Sequence, residues 1–459
     1  MSMDWGPSGN SPSDMTTDTR HAAELIDAAP EDAHGVSRPV RVRYSSDPRR
    51  RTRRPGKRAA ASARRTLLTL VFGPVFLVWA VLEGLRSMTF RLERRLGRDQ
   101  GAMVFRRPAS MPVNPDQRSV ADIVGRLQTF PFDPIPMSTH ASFYREYGAE
   151  SLGVLFSAQP SMAGLPHIYP AHFKPRLFAG HDGVQLAGVM AMHDTPGPAL
   201  IIAHGLMTTK NFDHIRQMAM RAYDWGFHVV ALDLRGWGQS SWTTDAPSSA
   251  GYYEGRDITA IARTLKQSDR VTSVGGLGYS LGGASMLNAS HHASMQDENP
   301  LDGGVIALSA PTEIERALSH ISTAPDWRSP RFAIYHMLQM ALRQSLRYQG
   351  LDDDLTHWQR LVEQRSIPYY GLSREEFNAQ ASAVNWASEI TVPTLQLHAA
   401  DDFMVPVDHA FALRDAAADN PNVHVWVVDV GAHIAFTSID TRWFHSVLRR
   451  WFEYWAAEG

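Results

Sequence analysis

The chain has no cysteine among its 459 residues. Disulfides and thiolate metal sites are therefore excluded, while the compartment stays open. An H-E-x-x-H motif is also absent, and histidines such as His291, His292 and His357 have no metal-ligand spacing. A zinc site is not expected. Net charge is small, −2 overall, but unevenly spread: residues 49–107 carry 16 Lys/Arg against 3 Asp/Glu. The rest of the chain is consequently acidic, which suggests a basic arm joined to an acidic body. The arm lacks interleaved aromatics and leads straight into an apolar run, which argues against nucleic acid as a partner.

Long hydrophobic runs are scarce as well. The main candidate runs from Thr66 to Leu82, uncharged until Glu83 and interrupted by Gly73-Pro74. A spanning helix needs roughly 17–25 apolar residues, so the run is at the short end. Arginines on both flanks can reach lipid phosphates. Membrane association through a single N-terminal helix is expected. A helix lying in the interface or on the body is the alternative. Ala63-Arg64-Arg65-Thr66-Leu67-Leu68 faintly resembles a twin-arginine export signal, but no small-x-small cleavage site follows, so an uncleaved anchor is preferred. Nine positive charges in 49–65 favour a cytoplasmic N-terminus, and five more after the run weaken that orientation.

Four regions follow from these changes of composition. Residues 1–65 read as a disordered basic N-terminal region, and 66–98 as the anchor or amphipathic helix. Residues 99–172 read as a wrapping region with little regular period, where Phe130-Pro131-Phe132-Asp133-Pro134-Ile135-Pro136 rules out a long helix. Residues 173–459 read as a catalytic domain. Within it Lys174–Ala179 and Gln185–Met192 form an antiparallel pair. Ala199–Ala203, His228–Leu232, Val271–Leu277, Val305–Leu308, Thr394–His398 and Val423–Val428 are core strands alternating with helices such as Ile215–Asp224 and Ile258–Gln267. That alternation implies an α/β class with a mostly parallel central sheet covered by helices on both faces. Residues 312–390 lack a clear strand. Their Trp327, Tyr335, Met337, Met340 and Trp358 suggest an inserted helical cap.

The chemistry centres on Gly278-Tyr279-Ser280-Leu281-Gly282-Gly283, between an apolar strand and a good helix start. A G-x-S-x-G turn of this kind forces a serine into a strained conformation that exposes its hydroxyl. The motif alone is weak, since chance supplies it in a chain this long with odds of roughly one in ten at ordinary glycine content. Three further segments raise its weight. After the strand ending Ile201-Ile202-Ala203 comes His204-Gly205-Leu206, a tight turn. The backbone N–H groups of Leu206 and Leu281 are the expected oxyanion donors, and His204 a structural hydrogen-bonding residue. The late strand leading into His398-Ala399-Ala400-Asp401-Asp402 delivers a carboxylate. Asp402 is favoured, with Asp401 as its rival. Val430-Gly431-Ala432-His433 then provides a histidine that can reach Ser280 as general base. Asp233-Leu234-Arg235-Gly236-Trp237-Gly238-Gln239-Ser240 reads as a structural turn beside the site.

Together, His204-Gly205, the Asp233–Ser240 turn, the Ser280 elbow, Asp402 and His433 resemble the α/β-hydrolase superfamily, over about residues 173–457. Gly278–Gly283, the segment from Ala381-Ser382 through Val392-Pro393-Thr394 to Asp402, and Gly431-Ala432-His433 look most like its YheT-like esterase branch. The resemblance implies a Ser280–His433–Asp402 mechanism without cofactor, through an acyl-enzyme. The expected substrate is a carboxylic ester, a small molecule or lipid with an apolar acyl chain. Acyl transfer to an alcohol on the same triad is the alternative. A non-catalytic membrane-tethered binding protein is the reading from another class, disfavoured because no triad residue is lost.

Overall fold

A computed structural model describes residues 118–134, 169–326 and 357–456, with scattered positions from 329 to 343. The basic N-terminal region (1–65), the anchor-like segment (66–98), residues 99–117 and 135–168, and the expected cap residues Trp327, Met337 and Met340 lie outside the described residues. Among the described residues no helix is long and apolar enough to cross a membrane.

Among the described residues eight strands form a single sheet: β1 (Lys174–Ala179), β2 (Gln185–Ala191), β3 (Gly197–Ala203), β4 (His228–Leu232), β5 (Val271–Tyr279), β6 (Val305–Leu308), β7 (Thr394–Ala399) and β8 (Val423–Val428). Their order across the sheet is β1-β2-β4-β3-β5-β6-β7-β8. The β1–β2 and β2–β4 pairs are antiparallel and all others parallel. The opening hairpin turns at Asp182 and Gly183, whose φ values are 57° and 73°. The mostly parallel sheet read from the sequence is thus present, with strand ends shifted by at most two residues.

Among the described residues eight longer helices accompany it: α1 (Val120–Leu127), α2 (Asp213–Asp224), α3 (Tyr252–Lys266), α4 (Leu281–Ser294), α5 (Ile314–Ser322), α6 (Arg374–Ala381), α7 (Asp408–Ala416) and α8 (Thr441–Trp455). The central strands β3 and β6 carry no polar side chain, because both faces are covered. In β3, Leu200 and Ile202 point into a layer shared with Ile215 and Met218 of α2 and Phe444 and Val447 of α8. Ala199, Ile201 and Ala203 point the other way, against Ile258 of α3 and Met286 and Leu287 of α4. This is the two-residue period of a strand buried on both sides.

Two features depart from the sequence reading. Region 99–172, read as having little period, contains α1. Val120, Ile123, Val124 and Leu127 recur at helical spacing and are buried in the α8 layer. Ser119 caps α1 by accepting the Asp122 N–H at 3.1 Å. The Tyr454 hydroxyl of α8 accepts the Ser119 N–H and donates to Asp122. Phe132 packs on Trp443 at 4.6 Å between ring centroids. A two-turn helix between prolines gives too short a period to stand out, yet tertiary packing fixes it. Residues 118–134 therefore share the core that was expected to begin at 173. The second departure is at the far end of the 312–390 stretch. Ala383, Trp386, Ala387 and Ile390 are buried in the α3/α4 layer, so that end belongs to the body.

If α1 is integral, Leu127→Ala should lower the stability of the whole body by about 2–5 kcal/mol, the usual cost of emptying a buried leucine site. Thermal denaturation followed by tryptophan fluorescence measures it. An unchanged transition would make α1 a detachable wrap.

Candidate active site

The site lies where parallel strands deliver their carboxyl ends, the usual crevice of an open α/β sheet. β5 hands the chain to α4 through Ser280, whose backbone sits at φ 54°, ψ −113°. A Cβ added to Gly278 would fall 2.0 Å from the Gly282 oxygen, and one on Gly282 2.4 Å from the Ala203 oxygen. Only hydrogen fits at either position, so the glycines are what allow the turn. Ser280 is 9% exposed.

The last two strands carry the other members. His433 Nε2 is 3.0 Å from Ser280 Oγ, and His433 Nδ1 is 2.9 Å from Asp402 Oδ2. Asp402 Oδ1 accepts the N–H groups of Met404 and Val405, each at 2.9 Å. Burial pushes the Asp402 carboxyl upward. The His433 ring, its hydrogen bond, His398 and the Val405 N–H outweigh that and hold it below the ordinary carboxylate value. Asp401 does something different. Its Oδ1 accepts the N–H groups of Gly431 and Ala432 at 2.9 and 2.8 Å. It shapes the loop carrying His433 and does not touch the ring. In that loop Ala432 and Ile434 adopt positive φ, 45° and 55°. A Cβ on Gly431 would meet Phe436 at 2.5 Å and Ala399 at 2.7 Å.

The His204–Leu206 turn approaches Ser280 closely: a Cβ on Gly205 would lie 3.4 Å from Ser280 Cβ. His204 Nε2 accepts the Leu234 N–H at 3.0 Å. The ring hydrogen is therefore on Nδ1, which donates to the Gly205 carbonyl at 2.7 Å. Thr208 Oγ1 donates to the same carbonyl at 2.9 Å. In a trans peptide the C=O and the following N–H point oppositely. Fixing the Gly205 oxygen therefore fixes the direction of the Leu206 N–H. Neither the Leu206 nor the Leu281 N–H has an acceptor among the described residues. Burial holds the His204 imidazole below its ordinary pKa despite the nearby Asp233 carboxylate, so it stays neutral.

Sequence reasoning missed the buried cation of this site. Lys210, 2% exposed, donates from Nζ to Asp233 Oδ2 at 2.5 Å and to Gln239 Oε1 at 2.7 Å. Its backbone N–H reaches Asp233 Oδ1, and its carbonyl accepts from the Tyr169 hydroxyl. Nothing in the Gly205–Asn211 segment marks Lys210 as buried. Only the Asp233–Ser240 turn, a carboxylate with glycines around it, hinted that a partner was needed. His214 of α2 was also missed. It packs edge-on to Tyr279 at 5.2 Å, and burial with the neighbouring His204 and His433 pushes it down to about 3.

An apolar cluster roofs the turn. Leu206 and Met207 pack with Leu318 and Ile321 of α5, Leu342, Trp358 and Trp237. The Trp237 and Trp358 ring centroids are 6.2 Å apart. Among the described residues no group of His, Asp and Glu is arranged to hold a metal ion.

The fold and the strand-end nucleophile turn define an α/β-hydrolase of the serine class. Residues 194–437, more than half the chain, match the Hydrolase_4 family, described as "Serine aminopeptidase, S33", and the chain belongs to that family. The superfamily read from the sequence is thereby shown, although this description does not name the YheT-like branch. A Synechocystis sp. protein, slr0264, provisionally named an esterase, is 26% identical over 261 residues, covering 52% of this chain and 70% of its own. Among solved structures, the Pyrococcus furiosus esterase Pf2001 is 17% identical, covers 63% of this chain and 98% of its own, and gives a TM-score of 0.44. The Pyrococcus horikoshii acylaminoacyl peptidase is 16% identical over 61% of this chain and 41% of its own, with a TM-score of 0.41. Structural likeness at that level carries no functional information.

Proposed function

We propose that this hydrolase cleaves a carboxylic ester with an apolar acyl chain through an acyl-enzyme on Ser280. The observation that carries the reading is the unbroken hydrogen-bond chain from Ser280 Oγ through His433 to Asp402. His433 Nε2 takes the hydroxyl proton as Ser280 Oγ attacks the acyl carbonyl. Asp402 holds the Nδ1 hydrogen and stabilises the ring cation that forms, remaining ionised itself. The oxyanion that develops is received by the Leu206 and Leu281 N–H groups, the second at the N-terminus of α4 where the helix dipole favours negative charge. His433 then returns its proton to the leaving alcohol. Water, deprotonated by the same ring, releases the acid.

Ester rather than amide is supported by the esterase name of the Synechocystis relative. The apolar acyl chain is supported by the Leu206–Met207–Trp358 cluster directly over the oxyanion turn. A membrane tether through residues 66–98 completes the reading, on the strength of the apolar run and its flanking arginines. Full-length protein should sediment with membranes and require detergent, whereas a chain starting at 99 should not. Full-length protein in the soluble fraction would remove the tether.

Purified protein should hydrolyse p-nitrophenyl esters, with kcat/KM rising as the acyl chain lengthens beyond acetate. Asp402→Asn should lower kcat by up to about 10⁴-fold, as loss of the orienting carboxylate does in a serine protease. Asp401→Asn keeps an acceptor for the Gly431 and Ala432 N–H groups and should cost less than about tenfold. Equal losses in the two variants would exchange or merge their roles, and no ester turnover at all would sink the proposal.

A further inference from the structure

Asp402 is touched by two histidines, and the mechanism uses one of them. The second, His398, lies at the end of β7, fully buried. Its ring nitrogens have distinct partners. The Gln396 side-chain amide lies 3.3 Å from Nδ1, with the Ala310 carbonyl 3.2 Å from the same amide nitrogen. An amide NH2 donates to both, so His398 Nδ1 is an acceptor and the ring hydrogen is on Nε2. Nε2 is 2.9 Å from the Val405 carbonyl and 3.7 Å from Asp402 Oδ2.

That carbonyl is not an arbitrary one. Val405 and Met404 supply the two N–H groups that grip Asp402 Oδ1. The acid thus sits in a four-residue turn whose side chain accepts from two and three residues ahead, the pattern of an Asx-type turn. His398 closes this turn from beneath. From the cap side, His320 Nε2 meets the Phe403 carbonyl at 3.3 Å. A core histidine satisfied at random has no reason to select the turn that aims a carboxylate, or to lie 3.7 Å from the carboxylate oxygen that meets His433.

We propose that His398 is the positioning residue of the Asp402 carboxylate: its Nε2–H clamps the Val405 carbonyl and closes the turn that directs Asp402 Oδ2 at His433 Nδ1. The inference rests on the triad reading above. Asp402 faces His433 from the loop after β8, His398 from β7, His320 from α5 and His409 from α7, all of which act on it electrostatically. Burial keeps the His398 ring below its ordinary pKa. It remains neutral and clamps the turn without competing with His433 for the carboxylate's charge.

Three variants of the full chain test this. His398→Leu removes the donor. His398→Gln restores an N–H near the Nε2 position. His398→Asn is polar but reaches only the Nδ1 position, and serves if leucine prevents folding. Leucine and asparagine should lower kcat for p-nitrophenyl butyrate by about 10–100-fold, the scale of misaligned catalytic groups, with KM changed less than about twofold. Glutamine should recover most of the loss. In parallel, the deshielded ring proton between His433 and Asp402, read by NMR on histidine-labelled protein, should move upfield or broaden in the leucine and asparagine variants and persist in glutamine. A folded leucine or asparagine variant with that resonance unmoved would overturn the proposal, as would equal kinetic loss in all three. A wild type that turns over no ester would strike the proposed function, while the ring-proton comparison would still decide the role of His398.

Discussion

Ser280 is held at a positive φ that a side chain does not choose freely, at an expense of about 1–3 kcal/mol. The body is arranged so that it has no alternative. Gly278 and Gly282 close against each other's backbone and against Ala203. The Ser280 N–H is tied to the Leu308 carbonyl at 2.8 Å, and its own carbonyl accepts the first helical N–H of α4, from Ala284. A continuous parallel ladder from β3 to β6 keeps those strands from relaxing. The hydroxyl is thereby fixed at the mouth of the sheet before any substrate arrives, and His433 and Asp402 can meet it without rearrangement.

The Asp233–Ser240 turn links the rest of the site to that point. Asp233 pairs with Lys210 and so holds the segment after the His204–Leu206 turn. Leu234 fixes the His204 tautomer. Arg235 forms a bidentate pair with Asp257 of α3, at 2.6 and 2.7 Å, and reaches the Tyr370 hydroxyl of the cap at 3.2 Å. Gly236 and Gly238 let the turn fold this tightly, since a Cβ on Gly238 would sit 2.4 Å from Asp233 Cγ. Both ion pairs are fully buried. Removing one partner of such a pair costs about 3–5 kcal/mol, because the other charge is left without compensation. One turn thus couples the segment that follows His204–Leu206, helix α3 and Tyr370.

The parts that could be read from the sequence are those whose signal is local. Four of the eight described strands, Lys174–Ala179, His228–Leu232, Val305–Leu308 and Val423–Val428, fall on the residues read from the sequence. Ser280, His433 and Asp402 come together because each follows a strand and strand ends converge. Asp401 and Asp402 are adjacent in sequence, and only the path of the loop tells which one faces His433. The parts that could not be read depend on distant partners. Lys210 and Asp233 are 23 residues apart and His398 is an ordinary strand residue by pattern. Helix α1 is too short to declare itself without α8. The apolar segment 66–98 has a clear composition, but lies outside the described residues.

The central claim is that Ser280 is the residue that becomes acylated. Mapping a fluorophosphonate adduct by peptide mass spectrometry tests it most directly, because the probe bonds preferentially to an activated hydroxyl, which displaces its fluoride. The account predicts a single adduct on the peptide containing Ser280, lost in Ser280→Ala and strongly slowed in His433→Gln. An adduct on any other residue, or none on a folded wild-type protein, would contradict it.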